Sequence, residues 1–299
     1  MPSLLTLWRF SRPHTIIGTS LSVLALWLLT SPSPQPASLL PLLGTWITCL
    51  GGNLYIVGLN QLEDIALDRI NKPHLPLAAG TLTPLQGRWT ISLSASLALT
   101  IAVVQGPWLL ATLFLSLLLG SAYSLPPLRL KRSALWASLC ILIVRGLLVN
   151  LCLFQHFSQV LDPKAPVYTP FPPEILSLSV FIVLFSLGIA FGKDIPDLEG
   201  DRRYNIATLT VRLGAQAVFN WVRGILLLCY GTPIALALGG ILPGRSIVWV
   251  AVHLGIAGLF WGRSQGVDVG DRASIAQFYQ FIWKLFFLEY LMFPVLTWT

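Results

Sequence analysis

Asn60, Asp64 and Asp68 recur at every fourth position in Asn60-Gln61-Leu62-Glu63-Asp64-Ile65-Ala66-Leu67-Asp68-Arg69, at the end of a long apolar run. On a helix this spacing lays three oxygen-bearing side chains along one face. A second acidic stretch, Lys193-Asp194-Ile195-Pro196-Asp197-Leu198-Glu199-Gly200-Asp201-Arg202, lies far downstream. Between them the two stretches hold seven of the twelve acids in the chain, which argues against scattered solvating charge. Two carboxylates about 6 Å apart repel by roughly 3 kcal/mol at an effective dielectric near 20, so such clusters imply bound cations. Oxygen ligands select hard cations, and Mg²⁺ binds through one or two carboxylates together with substrate phosphate oxygens. His74 is the one histidine close to either stretch, which disfavours zinc. Acid-bound Mg²⁺ with Lys and Arg alongside is the chemistry of a diphosphate site.

The metal-ligand candidates are Asp64 and Asp68 from the first stretch and Asp197 and Asp201 from the second, with Asn60 assisting and Asp194 beside them. Pro196 disfavours helix just before it. Asp194 is therefore expected on a non-helical entry, with Asp197 and Asp201 on the turn that follows. Arg69, Lys72, Lys193 and Arg203 flank the acids as candidate phosphate partners. A third stretch, Ser121-Ala122-Tyr123-Ser124-Leu125-Pro126-Pro127-Leu128-Arg129-Leu130-Lys131-Arg132, offers Tyr123, Ser124 and Lys131, although a basic loop of this kind also serves topology alone.

The elements that must position these groups are membrane helices. The chain of 299 residues is 55% hydrophobic and 10% charged, with a mean hydropathy of +0.75; soluble domains carry about 25% charged residues. Nine apolar runs match the ~20 residues needed to cross a bilayer: Thr15–Thr30, Leu39–Leu59, Trp89–Val104, Pro107–Ser124, Ala134–Phe154, Glu174–Gly192, Ala217–Ile241, Ser246–Trp261 and Ile275–Leu296. Gln105-Gly106-Pro107 breaks the third run from the fourth, because Gly-Pro ends helices; the pair reads as a hairpin. With nine spans, fourteen Lys and Arg residues fall on the side of the N-terminal tail and two on the other. That positive-inside bias places the N-terminus and both acidic stretches on the cytoplasmic side. The net charge of +7 is then a topology signal and does not point to nucleic acid. The N-terminal tail is too short for a plastid transit peptide, so either a bacterial-type protein or a mature form is expected.

Several features resist a single reading. Arg145 lies mid-span, where an intramembrane charge faces a protein interior and a partner; Glu289 and the diphosphate are the candidates. Lys284 also lies within a span, and His253 reads as a core residue. The four cysteines all lie in apolar runs and read as small buried hydrophobes. The stretch Phe278–Tyr290 is dense in aromatics, which serve packing and could also stabilise a carbocation with their π faces. Asp64-x-x-x-Asp68-Arg69 and Asp197-x-x-x-Asp201-Arg202 repeat one spacing, with Asn71 and Asn205 close behind. One domain of 299 residues with two related helical halves, roughly 1–133 and 134–299, is the organisation this suggests.

The paired motifs Asn60-x-x-x-Asp64-x-x-x-Asp68 and Asp194-x-x-Asp197-x-x-x-Asp201 resemble those of the UbiA superfamily of intramembrane aromatic prenyltransferases. Arg12–Gly18, Gly58–Leu62, Asp68–Pro73, Lys193–Asp201 and Phe278–Pro294 are similar to the homogentisate-prenylating branch of that superfamily in its cyanobacterial form. The extra acid Glu63 departs from the pattern. The resemblance implies an all-α polytopic membrane protein of nine helices around a central cavity, capped by cytoplasmic loops. It also implies two Mg²⁺, phytyl diphosphate as donor and homogentisate as acceptor, in a bacterial thylakoid or plasma membrane. Rival acceptors are 4-hydroxybenzoate, dihydroxynaphthoate and a chlorophyllide. The rival of another class is a cation transporter using the acids as ion ligands, whose site would sit near the bilayer midplane.

Overall fold

A computed structural model describes residues 3–31, 35–162, 164–204 and 206–299. Asn205 of the internal repeat, and part of the connection after the first run, lie outside the described residues. Among the described residues nine helices are long and apolar enough to cross a membrane. They are α1 (Pro13–Thr30), α2 (Leu39–Glu63), α3 (Pro84–Gln105), α4 (Pro107–Ser124), α5 (Ala134–Leu161), α6 (Pro173–Gly192), α7 (Ala215–Leu238), α8 (Ser246–Gln265) and α9 (Arg272–Thr297). Four of them open on proline, where the missing N–H costs nothing and the fixed φ suits a first turn. Thr83 and Gln86 cap α3 reciprocally: the Gln86 N–H donates to Thr83 Oγ1 (3.2 Å) and the Thr83 N–H to Gln86 Oε1 (3.0 Å).

The expected hairpin between α3 and α4 is present. Gly106 carries φ 122° and ψ 173°, a conformation essentially confined to glycine, and Pro107 starts the next helix at once. The expected runs fall inside the observed helices except at one C-terminal end, where the run Ala217–Ile241 passes the end of α7 at Leu238. α5 is longer than its apolar run because its C-terminal end, Gln155–Leu161, is polar at intervals yet largely buried.

Six helices close a ring. α1 packs on α2 and α9, α2 on α4, α4 on α5, α5 on α6, and α6 on α9. α3, α7 and α8 stand outside it, against α2, α6 and their own neighbours. The aromatic core lies on the α6–α9 side, where Phe181, Phe185, Tyr230, Trp249, Phe286, Tyr290 and Phe293 are buried and meet mostly edge to face, as in Phe181–Tyr230 (ring centroids 5.4 Å) and Trp249–Phe293 (5.1 Å). Glu289 belongs to this core. It sits 3.4 Å from His253 Nε2 and does not pair with Arg145, because it points to the α8 side of α9. His253 is the buried core residue expected, its Nδ1 2.8 Å from the Trp249 carbonyl. Lys284 is exposed on the outer face of α9, away from the ring's interior.

Outward-facing Leu97, Val104, Leu118, Leu228, Leu254 and Leu259 are all more than half exposed, as a surface solvated by lipid tails requires. All of the paired acids gather at one end of the ring, here called the mouth. Replacing Gly106 by Ala forces a Cβ into that φ/ψ region at a cost of about 1–3 kcal/mol, with open space around it. The thermal midpoint of the Gly106→Ala protein in detergent is expected to fall while its Michaelis constants stay put; an unchanged midpoint contradicts the hairpin geometry.

Candidate active site

The first acidic motif is delivered by two helices, not one. α2 ends at Glu63, Asp64 leaves helical geometry at φ −115°, and a second short helix runs Ile65–Asn71. The expected single face from Asn60 to Asp68 is therefore bent at Asp64, although the Asp68 N–H still donates to the Asp64 carbonyl at 2.7 Å. The bend is held from below by a small satellite core in which Phe10, Leu59, Leu77, Leu82 and Ile91 are buried. Gln61 Nε2, fully buried, ties it by donating to the Phe10 carbonyl at 2.7 Å.

The second motif follows the expected course. α6 stops at Gly192, residues 193–197 form a non-helical turn, and Asp197 caps a short helix Leu198–Arg203. Asp201 sits one turn in, its N–H donating to the Asp197 carbonyl at 3.1 Å. The two motifs lock together directly. The Gly200 N–H donates to Asn71 Oδ1 (3.1 Å), and Arg272 Nη2 donates to the Asn71 carbonyl (2.8 Å). Lys72 of the first motif is ion-paired with Asp197 of the second.

A cavity of about 640 Å³ opens between them, lined by Asn60, Asp64, Asp68, Asp194, Asp197 and Asp201 together with Glu63 and Asn71. Lys72, Tyr123, Lys131, Arg145 and Lys193 also line it. It continues down between the six inner helices to Thr48, twelve residues below Asn60 on α2, or about 18 Å at 1.5 Å per residue. Its lower walls are apolar or small, including Gly52, Leu109, Leu113 and Val149. Tyr279, Trp283, Phe286 and Tyr290, three or four residues apart on α9, present one aromatic face to it.

At the mouth every one of the five aspartates meets a cation or stays buried without one. Lys131 Nζ donates to Asp64 Oδ2 (2.6 Å) and Asn60 Oδ1 (3.0 Å). Arg129 Nη2 donates to Asp64 Oδ1 and to the Glu63 carbonyl, both at 3.2 Å. Lys193 Nζ donates to the Tyr123 hydroxyl at 3.0 Å and lies 3.8 Å from Asp194. Asp68 has no such partner, and its Oδ2 is buried with no hydrogen bond. Burial raises Asp68 to about 6 against the pull of Arg12 and Lys72. It raises Asp194 to about 6 and, with Asp194 and Asp197 adding repulsion, Asp201 to about 7. Burial, with the Arg129 charge adding repulsion, pushes the Lys131 ammonium downward against the pull of Asp64. These are groups whose charged forms need a counter-charge that the protein only partly supplies.

Among the described residues no three His, Cys, Asp or Glu side chains gather tightly enough to hold a metal by themselves. The donor set still fits a hard cation. It is oxygen-only, it faces one cavity, and it includes the orphaned Asp68 carboxylate oxygen. The missing ligands would be phosphate oxygens and water, as Mg²⁺ prefers.

Three expected site residues do not reach the cavity. Arg69 and Arg203 are exposed on the outer faces of their short helices, and Ser124 is buried behind Tyr123 with its Oγ unpartnered. Arg145 lines the cavity, but among the described residues it pairs with none of the acids. Two residues the motifs did not single out as site groups take those places. Arg129 grips Asp64. Arg12, in left-handed geometry at φ 53°, turns the chain into α1 and lines the cavity; the Arg-Pro junction was the available signal.

A model of the UbiA prenyltransferase family matches residues 19–285. The chain is 49% identical to homogentisate phytyltransferase of Synechocystis over all of this chain and 97% of that protein. It is 37% identical to homogentisate phytyltransferase 1, chloroplastic, of Arabidopsis thaliana over 98% of this chain and 76% of that one. Its fold is similar to that of a UbiA homolog from Archaeoglobus fulgidus solved bound to GPP and Mg²⁺. The TM-score is 0.65 at 14% identity, covering 97% of this chain and 99% of that one.

A Cβ at Gly200 would stand 2.3 Å from Asn71 Oδ1, so Gly200→Ala must break the contact that joins the two motifs. Its kcat/KM is expected to fall by about tenfold, the effect of one lost buried hydrogen bond. The protein should still elute as folded material in detergent, and steady-state kinetics that match the parent enzyme would show that the latch is idle.

Proposed function

The chain belongs to the UbiA prenyltransferase family, and from that premise we propose that it transfers a phytyl group from phytyl diphosphate to homogentisate. The products are 2-methyl-6-phytyl-1,4-benzoquinol, CO₂ and diphosphate, a step toward tocopherols. The observation that carries the reading is one cavity with two halves of opposite chemistry. Its mouth holds paired carboxylates among Lys and Arg, and its body is an apolar tunnel between membrane helices. Full-length likeness to homogentisate phytyltransferases supports the acceptor and the donor.

Asp64 and Asp68 on one side and Asp197 and Asp201 on the other would hold the metal, with Asn60 and Asp194 beside them; we read two Mg²⁺. Bound there, Mg²⁺ supplies positive charge against the diphosphate leaving group. The rest is the work of side chains. Lys72, Lys131, Lys193 and Arg129 stand around the mouth and can move from their carboxylate partners onto phosphate oxygens, and Arg12 stands beside them. As the allylic C–O bond breaks, negative charge grows on the leaving group, and these cations stabilise it most at that point. The phytyl chain lies in the apolar tunnel, which keeps water from quenching the allylic cation. The π faces of Tyr279, Trp283, Phe286 and Tyr290 line that space. A ring carbon of the acceptor, ortho to a phenol oxygen, then attacks the cation and gives up its proton; the CH₂–CO₂⁻ bond breaks to release CO₂, and the CH₂ carbon takes up a proton to become the methyl group of the product.

The mouth faces the cytoplasm in this reading, on the charge bias of the loops, and the membrane is that of a cyanobacterium. The halves 1–133 and 134–299 each bring one acidic motif to it. A transporter reading is disfavoured by acids that sit at one end of the ring and not halfway along it.

Membranes containing the enzyme, offered each aromatic acceptor with phytyl and geranylgeranyl diphosphates, are expected to consume homogentisate with phytyl diphosphate and Mg²⁺ most efficiently, and not to do so in EDTA. Asp68→Ala should lower kcat/KM by about 10²- to 10³-fold, whereas Arg69→Ala and Arg203→Ala, off the cavity, should stay within about twofold. Parent-like turnover by the Asp68 variant would sink the site assignment.

A further inference from the structure

Arg145 has no anion. It lies within α5 among apolar neighbours, lines the cavity, and makes neither an ion pair nor a hydrogen bond with any described residue; its Nη1 is buried without a partner. Its guanidinium carbon stands 4.9 Å from the ring centroid of Trp283 and 5.5 Å from that of Phe286. Stacking on aromatic faces holds the group flat and partly offsets its desolvation. It does not replace the counter-charge that an intramembrane arginine requires. Glu289, the nearest carboxylate in sequence terms on α9, is turned toward His253.

The position is fixed by packing. Leu142–Cys152 is wound as π-helix, a winding that recurs at functional sites. Gly146 lets this segment press on α6, where an added Cβ would meet Val183 Cγ2 at 2.4 Å. With the Gly146 face against α6, Arg145 is turned to the cavity. Its surroundings follow from a chain of contacts: Arg145 lies over Trp283, whose ring is 4.8 Å from that of His14. The next residue, Thr15, accepts from Asn53 Nδ2 at 2.9 Å. Asn53 is seven residues below Asn60 on α2, about 10 Å down by helical rise.

Two substrates bring two anionic groups to this cavity. The diphosphate is met at the mouth by the acids' own cations. Among the described residues Arg145 is the cation lying over the α9 aromatic face, where the acceptor's ring would stack, so the acceptor's carboxylate would meet that charge first. Resting on the function proposed above, we infer that Arg145 binds the carboxylate of the acceptor and not the diphosphate. Its planar fork matches a carboxylate through two parallel N–H···O bonds, and the flanking Trp283 and His14 rings offer faces for the acceptor ring. Arg145 is thus the residue that selects a carboxylated aromatic acceptor: a neutral ring leaves the guanidinium unpaired and binds poorly for that reason. Pairing also neutralises a cation on the aromatic face that the allylic cation would pass.

The test compares homogentisate with 2-methylbenzene-1,4-diol, the same ring lacking only the carboxylate, in the parent enzyme and in Arg145→Gln and Arg145→Lys. In Arg145→Gln the KM for homogentisate should rise by about 10- to 100-fold, the worth of a charge-assisted pair. The KM for phytyl diphosphate should stay within about twofold, and the preference for the acid over the diol should collapse. Arg145→Lys should recover part of that preference. A preserved acid-to-diol ratio, or a rise confined to the phytyl diphosphate KM, overturns the inference. Should both variants fail to fold, inhibition of the parent enzyme decides: 2,5-dimethoxyphenylacetate should compete with homogentisate at least about tenfold better than its amide, and equal potency overturns the inference. A parent enzyme that turns over no homogentisate in the control overturns the functional reading itself, before any variant is compared.

Discussion

The structure depends on a shortage of counter-charge at one end of a membrane helix ring. Five aspartates line a partly buried mouth, and only some of them are paired: Asp64 with Lys131 and Arg129, Asp197 with Lys72, and Asp194 with Lys193 at 3.8 Å. Asp68 and Asp201 are left with raised affinity for protons. Removing carboxylates from water is costly unless something positive arrives, so the resting site is poised to gain cations and the anionic substrate that accompanies them. The ion pairs within the mouth act as placeholders. They keep lysines and arginines within reach of the position a diphosphate would take, and they spare the folded protein an uncompensated cluster.

That shortage explains the rest of the architecture. Two motifs 133 residues apart in sequence are useful only if held together, and the contacts that do this are short-range and specific: the Asn71 amide against the Gly200 backbone, and Lys72 against Asp197. A satellite core under the first motif and the α6 terminus under the second make rigid platforms for them. Below the mouth the priorities reverse. The walls become mostly small and apolar, with scattered hydroxyls and the Asn53 amide, and a charged group among the α9 aromatics is supplied by Arg145.

Much of this was legible in the residues. Helix count, the hairpin at Gly106 and the exit of Asp194 from helix all follow from apolar run length and Gly-Pro chemistry, which are local. The acids stood out because charge is rare in this chain. What pattern alone did not disclose is side-chain direction at helix ends. Arg69 and Arg203 sit next to the acids in sequence, yet one step around a short helix turns them to solvent, while Arg129 and Arg12 reach the site from other segments. The break at Asp64 was hidden because nothing in the stretch, neither Gly nor Pro, signals an end to helix. The pairing of Glu289 depended on which side of α9 faces α8, a tertiary fact that a lone intramembrane acid does not encode.

The central claim is that the two acidic motifs form one clamp on one ligand. A double-mutant cycle on Asp64→Asn and Asp197→Asn, reading the affinity for phytyl diphosphate in saturating Mg²⁺, tests it most directly. A single clamp predicts strong non-additivity, with either substitution costing nearly as much as both, because half a clamp cannot hold the ligand. Losses that simply add would mean two independent sites and would contradict the account.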